Sequence, residues 1–213
     1  MIVYGLDAAA TTVSVCRMNT ASVELPKVKL LRAPNAPDVH SVKTADARIR
    51  ALAGDVVTAL TRDGSPDLVV IVRHTWRTMH ADPSAYRRAA VHRDVVRGLL
   101  DSGVRVADVP LLTLMSWAGV QPKMGAPYLA ALERDTKKRH PGMSEPEGFS
   151  TTAVVAAGIG AQALGQPSGW SFTGRRHDVM TSRASGVGVE KQVGPQWPKG
   201  LPVAPSKVGQ TQP

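Results

Sequence analysis

Aromatic residues are scarce in this chain: two Phe, three Tyr and four Trp make up only 4% of 213 residues. A core cannot rest on so few rings, so it must be assembled from the aliphatic residues that supply most of the 43% hydrophobic content. Small and branched side chains of that kind suit parallel strands buried on both faces under Ala-rich helices. Cysteine is nearly absent. A single residue, Cys16, excludes an internal disulfide and the disulfide scaffold of a small secreted domain, so a reducing compartment is expected. Cys16 lies in an apolar run and reads as a small core residue rather than a nucleophile. No apolar run approaches the roughly 18 residues of a membrane-spanning helix. No basic stretch precedes the first apolar run, as it would in a secretory signal. The expectation is a soluble, intracellular protein with no membrane partner.

Negative charge is the third shortage. Asp and Glu number 17 against 26 Lys and Arg, giving a formal net charge of +9 and a pI near 10.1. An excess of this size favours a polyanionic partner, nucleic acid or an acidic protein surface, or else marks a solvated basic face. Several motifs are missing as well. There is no G-x-x-x-x-G-K-[ST] phosphate loop. The histidines, His40, His74, His80, His92, His140 and His177, show neither H-E-x-x-H nor zinc-ligand spacing. Gly158-Ile159-Gly160 lies inside a helical stretch and is a poor dinucleotide fingerprint.

What is present has clear periodicity. Residues 1–18 read MIVYGLDAAATTVSVCRM. Two β-rich runs flank the small-residue turn Asp7-Ala8-Ala9-Ala10, a hairpin with an acid at the end of its first strand. A third strand is expected at residues 28–31, before the loop marked by Pro34 and Pro37. Ala45, Ile49, Leu52, Val56 and Leu60 recur at helical spacing through residues 44–62. Residues 68–72, LVVIV, form a continuous apolar run that suits a strand buried on both faces. A helix follows at residues 84–102 and stops at Gly103, and a strand at residues 104–109 closes at Pro110. Two further helices are expected, at residues 125–138 and 149–164. In the second, Gly158 and Gly160 permit close approach to a neighbour at some cost in helix propensity. Three early strands followed by helix–strand units give an α/β fold, a mixed sheet flanked by helices, over residues 1–164.

From Gly165 the composition turns rich in Gly, Pro and Ser and the periodicity ends. Residues 165–213 read as an extended, irregular basic arm, disordered in isolation and laid on another molecule. Trp170, Phe172 and Trp197 are its candidate anchors. Arg175, Arg176, Arg183, Lys191, Lys199 and Lys207 are the residues to pair with an acidic partner. A second basic cluster, Arg134, Lys137, Lys138, Arg139 and His140, either touches phosphate or protein acids or is a solvated helix end.

The opening GLDAAATTVSV resembles the first hairpin of the RuvC-type Holliday junction resolvases, members of the ribonuclease H-like superfamily, whose first strand ends G-[IL]-D. PDLVVIV at residues 66–72 is similar to the middle strand of that family, and residues 84–103 to the helix after it. RVADVPLLTLMSWAG resembles the next strand with its proline and a loop that prepares a helix. FSTTAVVAAGIGAQAL stands where the family carries its last acidic helix, D-x-x-D-A-L-A. The resemblance implies a ribonuclease H-like domain over residues 1–164.

It also implies a site. The family holds two Mg²⁺ ions with about four carboxylates, one ion activating water and the other stabilising the leaving oxygen. Only the first of those acids has a counterpart here, Asp7. The middle-strand Glu falls on Val72, beside Arg73, and the two helical acids fall near Phe149 and Thr152. A lone Asp holds Mg²⁺ weakly. Glu145 and Glu147, just before the last helix, are the acids placed to swing in; failing that, Asp7 is a structural acid capping N–H groups of its turn. His74 follows the middle strand and either approaches Asp7 or lies in a surface loop.

Three functions compete. The first is a catalytically inactive, resolvase-like structural protein with no metal or cofactor. High Ala, Arg, Val and Gly content points to a GC-rich source, an actinobacterium or its phages. The arm then suggests a minor capsid or decoration protein in the virion, bound to a major capsid protein and present in the host cytoplasm before assembly. The second is an active Mg²⁺-dependent junction endonuclease acting as a homodimer, because a four-way junction has two symmetric scissile phosphates. The third is a non-cleaving DNA-binding module.

Overall fold

The first hairpin pairs β1 (Ile2–Ala8) with β2 (Thr12–Asn19), antiparallel, with Asp7 opposite Ser14. The small residues between them make a tight turn in which Ala9 N–H donates to the Thr12 carbonyl over 2.8 Å. β2 pairs in turn with β3 (Lys27–Arg32), again antiparallel. On the other side of β1 lies β4 (Leu68–Arg73), parallel to it, and β5 (Val106–Pro110) runs parallel to β4. The sheet order is β3-β2-β1-β4-β5, the mixed sheet expected. In a computed structural model of the chain, residues 1–22, 24–35, 41–74, 84–120, 127–182, 184–185, 192–199 and 201 are described.

One face of the sheet is covered by α1 (Val42–Thr61) and α2 (Ala85–Asp101). Ser41 starts α1, its hydroxyl accepting from the Thr44 N–H, the role Ser plays at helix N-termini. Ile49, Leu52, Val56 and Leu60 of α1 and Val91, Val95 and Leu99 of α2 meet Tyr4, Leu6, Val69 and Ile71 of the sheet in one core. The other face is covered by α5 (Thr152–Ala163), and every one of its twelve residues is buried. Over it lies a further layer of α3 (Leu111–Ala118), α4 (Pro127–Arg139) and α6 (Gly174–Thr181). A helix enclosed on all sides must be apolar all round and narrow where backbones meet. A Cβ on Gly160 would stand 2.6 Å from Val70, and one on Gly158 would stand 2.6 Å from the Trp170 ring. The close approach expected of these two glycines is therefore real.

Three features depart from the sequence reading. Residues 111–118, read as a loop, form α3, closed by Gly119 at a φ of 86°. Residues 165–182 fold back over α5, and α6 lies within what was read as an extended arm. Of the candidate anchors, Trp170 is only 4% exposed and stacks on Trp117, with ring centroids 5.1 Å apart. Gln162 of α5 joins the two tryptophans, accepting from Trp117 Nε1 and donating to the Trp170 carbonyl. Arg176 donates through Nε to the Trp117 carbonyl over 2.8 Å, and Trp197 Nε1 donates to the Met180 carbonyl over 2.8 Å. These three side chains make contacts within the chain. The physical reason is the scarcity of rings: the layer over α5 needs large side chains, and the tail supplies one.

The remaining described tail continues along the sheet. β6 (Ala184–Ser185) pairs with β7 (Gln192–Val193), and Gln196 exchanges two backbone hydrogen bonds with Asp108 on the β5 edge. Phe172, Arg175 and Lys199 are exposed, whereas Arg183, Lys191 and Lys207 lie outside the described residues. Cys16 is fully buried, as expected, and burial pushes its thiol well up.

Two substitutions separate a folded tail from a free arm. Trp170→Ala should cost about 3–5 kcal/mol of stability, the range for deleting a large buried ring. Phe172→Ala, at a ring 48% exposed, should cost under about 1 kcal/mol. Urea denaturation midpoints check both.

Candidate functional site: a carboxylate enclosed by donors

Parallel β1 and β4 end together, and α5 begins over the same end of the sheet. Strand alternation turns Val3, Gly5 and Asp7 toward α5. Gly5 allows the contact: a Cβ there would stand 1.9 Å from the Ala153 carbonyl oxygen. With the backbones this close, the residues opening α5 reach the Asp7 carboxylate. Ser150 Oγ donates to Asp7 Oδ2 over 2.5 Å, and the Thr152 hydroxyl donates to the same oxygen. Ser14, opposite Asp7 in the hairpin, accepts the Ser150 N–H over 2.8 Å and so holds that loop in place. On the other oxygen, His74 Nε2 donates to Oδ1 over 2.6 Å. His74 lies just past β4 and keeps about a quarter of its side chain exposed, whereas Asp7 is buried.

Burial alone would push the Asp7 carboxyl up. The hydrogen bond and charge of His74 and the hydroxyls of Ser150 and Thr152 outweigh it and hold the group below the 3.8 of a free side chain. The carboxylate is thus charged, buried and saturated with donors, the condition under which a buried charge is tolerated.

The residues singled out from the sequence divide between the two faces of the sheet. Asp7 and Thr152 meet, and His74 joins them rather than lying in a surface loop. Val72 is fully buried in the core beneath α5, and Phe149 packs partly buried against that core. Arg73 points to the opposite face, donating to Asp108 over 3.3 Å and to the Gly194 carbonyl over 2.9 Å. Glu145 and Glu147 do not come to Asp7. Glu145 pairs with Lys137 at 3.7 Å, and Glu147 is exposed, its carbonyl accepting from Arg32. Among the described residues the partners of Asp7 are the side chains of His74, just past β4, and of Ser150 and Thr152, at the start of α5. Sequence reasoning missed Ser14 and Ser150. The signal for Ser150 was the hydroxyl run Ser150-Thr151-Thr152 at a helix start facing an acid. The basic cluster at the end of α4 is divided: Arg134, Lys137 and Lys138 are exposed, with Lys137 paired to Glu133, whereas Arg139 pairs with Asp135 and lies over Trp170, and His140 is buried.

Magnesium takes about six oxygen ligands in a tight octahedron. Here both oxygens of Asp7 already accept from protein donors, and its neighbours are two hydroxyls and an imidazole. Among the described residues no three His, Cys, Asp or Glu side chains converge to hold a metal ion. The described residues around Asp7 do not fit the Mg²⁺ pair that the resemblance implies.

No protein-family model matches the chain, and no curated protein does. Solved structures do. A Thermus thermophilus RuvC structure superposes with a TM-score of 0.52 at 16% identity, covering 79% of this chain and 99% of that one. T. thermophilus RuvC in complex with a Holliday junction substrate superposes with a TM-score of 0.50 at 18% identity, covering 74% of this chain and 90% of that one. The fold is RuvC-like and ribonuclease H-like.

The lowered Asp7 pKa fixes the sign of a pH effect. A depressed carboxyl contributes stability above its unfolded pKa and loses it as pH falls through the folded value. Asp7→Asn should cost about 2 kcal/mol at pH 7. The difference from the parent should shrink as pH falls below 3.8. Denaturant titrations at stepped pH measure the gap.

Proposed function

We propose that this RuvC-like chain binds structured DNA of the four-way-junction kind at the sheet end where β1, β4 and β5 terminate, and does not hydrolyse it through Asp7. The observation that carries the reading is Asp7 itself. Three protein donors take up its two oxygens, so the charge that would draw a metal ion is already compensated. The fold and the net charge of +9 support the DNA half. Phosphate neutralisation by Lys and Arg supplies most sequence-independent affinity for DNA. A fold similar to that of a protein solved with a junction substrate gives that charge a geometry. A junction has two-fold symmetry, so the reading favours a homodimer as the binding unit.

A second reading, an active Mg²⁺-dependent resolvase, rests on the position of Asp7 at the end of the first strand. It requires the Ser150, Thr152 and His74 contacts to open and acids from elsewhere to enter. The reading as a phage capsid protein has no support in the comparisons, and three of its nine arm residues, Trp170, Arg176 and Trp197, make contacts within the chain.

Fluorescence anisotropy with a labelled four-way junction tests the proposal, with Mg²⁺ or Mn²⁺ added to watch for cleavage. The expected result is binding that weakens steeply with salt, no strand scission, and equal affinity for the parent and Asp7→Asn. Symmetric nicking lost in Asp7→Asn would establish the active enzyme instead. Absence of binding by folded protein at low salt would end the DNA reading.

A further inference from the structure

On the opposite side of the β1–β2 turn from the Asp7 carboxylate lies a cavity of about 360 Å³. Ala33 and the buried Ile49 line its apolar part, and Thr11, Ser41, Arg48 and Arg87 supply its polar part. The volume holds about a dozen waters, so it is wide enough to admit a hydrated phosphate. Arg48 is held in place by its Nε, which donates to the Pro34 carbonyl over 2.8 Å. Arg87, at the start of α2, is exposed and makes no ion pair among the described residues.

Charge pairing along the two helices sets this place apart. Further along α1 and α2, Arg50 pairs with Asp46, Arg93 with Asp94 and Arg97 with Asp101. At the cavity no carboxylate lines the wall among the described residues, and two arginines line one space. Two cations gathered without a counter-ion repel each other, and an anion between them removes that cost. Guanidinium groups match the tetrahedral oxygens of phosphate with paired hydrogen bonds. Ser41 and Val42, at the start of α1, line the same space.

We propose that this cavity is a phosphate site, and that it holds a backbone phosphate of a DNA strand running past the Asp7 end of the sheet. The second clause rests on the DNA-binding reading above, whereas the first stands without it. Arg48 and Arg87 are the binding residues, and the Thr11 hydroxyl is the third contact.

The test uses the full chain and two probes. With a labelled four-way junction, the R48A/R87A variant should bind about tenfold or more weakly, and its slope of log affinity against log salt should fall by about 2. Arg50→Ala and Arg97→Ala, whose charges are already paired, should leave the slope unchanged. With inorganic phosphate alone, amide NMR shifts at Thr11, Arg48 and Arg87 should appear in the parent and vanish in the double variant. Phosphate shifts at these residues in a parent that binds no DNA would uphold the site and overturn only the DNA reading. An unchanged salt slope together with absent phosphate shifts, in a double variant whose urea midpoint matches the parent, would overturn the site.

Discussion

The backbone of β1 at Gly5 meets that of α5 at Ala153 so closely that a Cβ on Gly5 would stand 1.9 Å from the Ala153 carbonyl oxygen. A strand and a helix can meet this closely only if both present almost no side chain there. That requirement spreads outward through the sequence. α5 becomes a helix mostly of Ala, Gly and Val, buried on every side. Its thinness leaves space on its outer face, and Trp117 and Trp170 fill it. The same approach brings Ser150 and Thr152 against Asp7. Fold, tail and site therefore depend on one contact, because a wider separation would leave the carboxylate buried without donors.

The sheet end has two chemically distinct sides. Toward α5, a single carboxylate is closed in by hydroxyls and an imidazole, and its charge is spent on holding β1, β4 and α5 together. Toward α1 and α2, two arginines stand without a carboxylate at a cavity. A site organised for two-metal hydrolysis gathers negative charge to attract cations. This end gathers donors instead, which suits the binding of phosphate more than the cutting of it. Elsewhere on α1, α2 and α4, Arg50, Arg93, Arg97, Lys137 and Arg139 are each paired with a nearby acid.

Much of the fold was legible because its signals are local. The LVVIV run, the 3.6-residue spacing of Ile49, Leu52, Val56 and Leu60, and the Gly-Leu-Asp strand end each state their own element. The tail was not legible, since Gly, Pro and Ser between residues 165 and 182 carry no period. Only the shape of the gap above α5 explains why Trp170 turns inward. α3 was missed because its apolar residues, Leu111 to Ala118, run together without a polar face, and Gly119 is its only stop signal. At the site, Asp7 was readable as an acid at a strand end, but the roles of Ser14 and Ser150 were not. Their contact with Asp7 depends on a loop and a hairpin more than 130 residues apart meeting across a strand.

The central claim is that Asp7 is held by protein donors rather than kept free for a metal ion. Carboxyl-carbon NMR of the Asp7 side chain, followed through a pH titration and then with added Mn²⁺, tests it most directly. The account predicts a carboxyl that titrates below 3.8 and keeps its signal in the presence of the paramagnetic ion. A signal broadened away by Mn²⁺ at low concentration would contradict it and return Asp7 to metal chemistry.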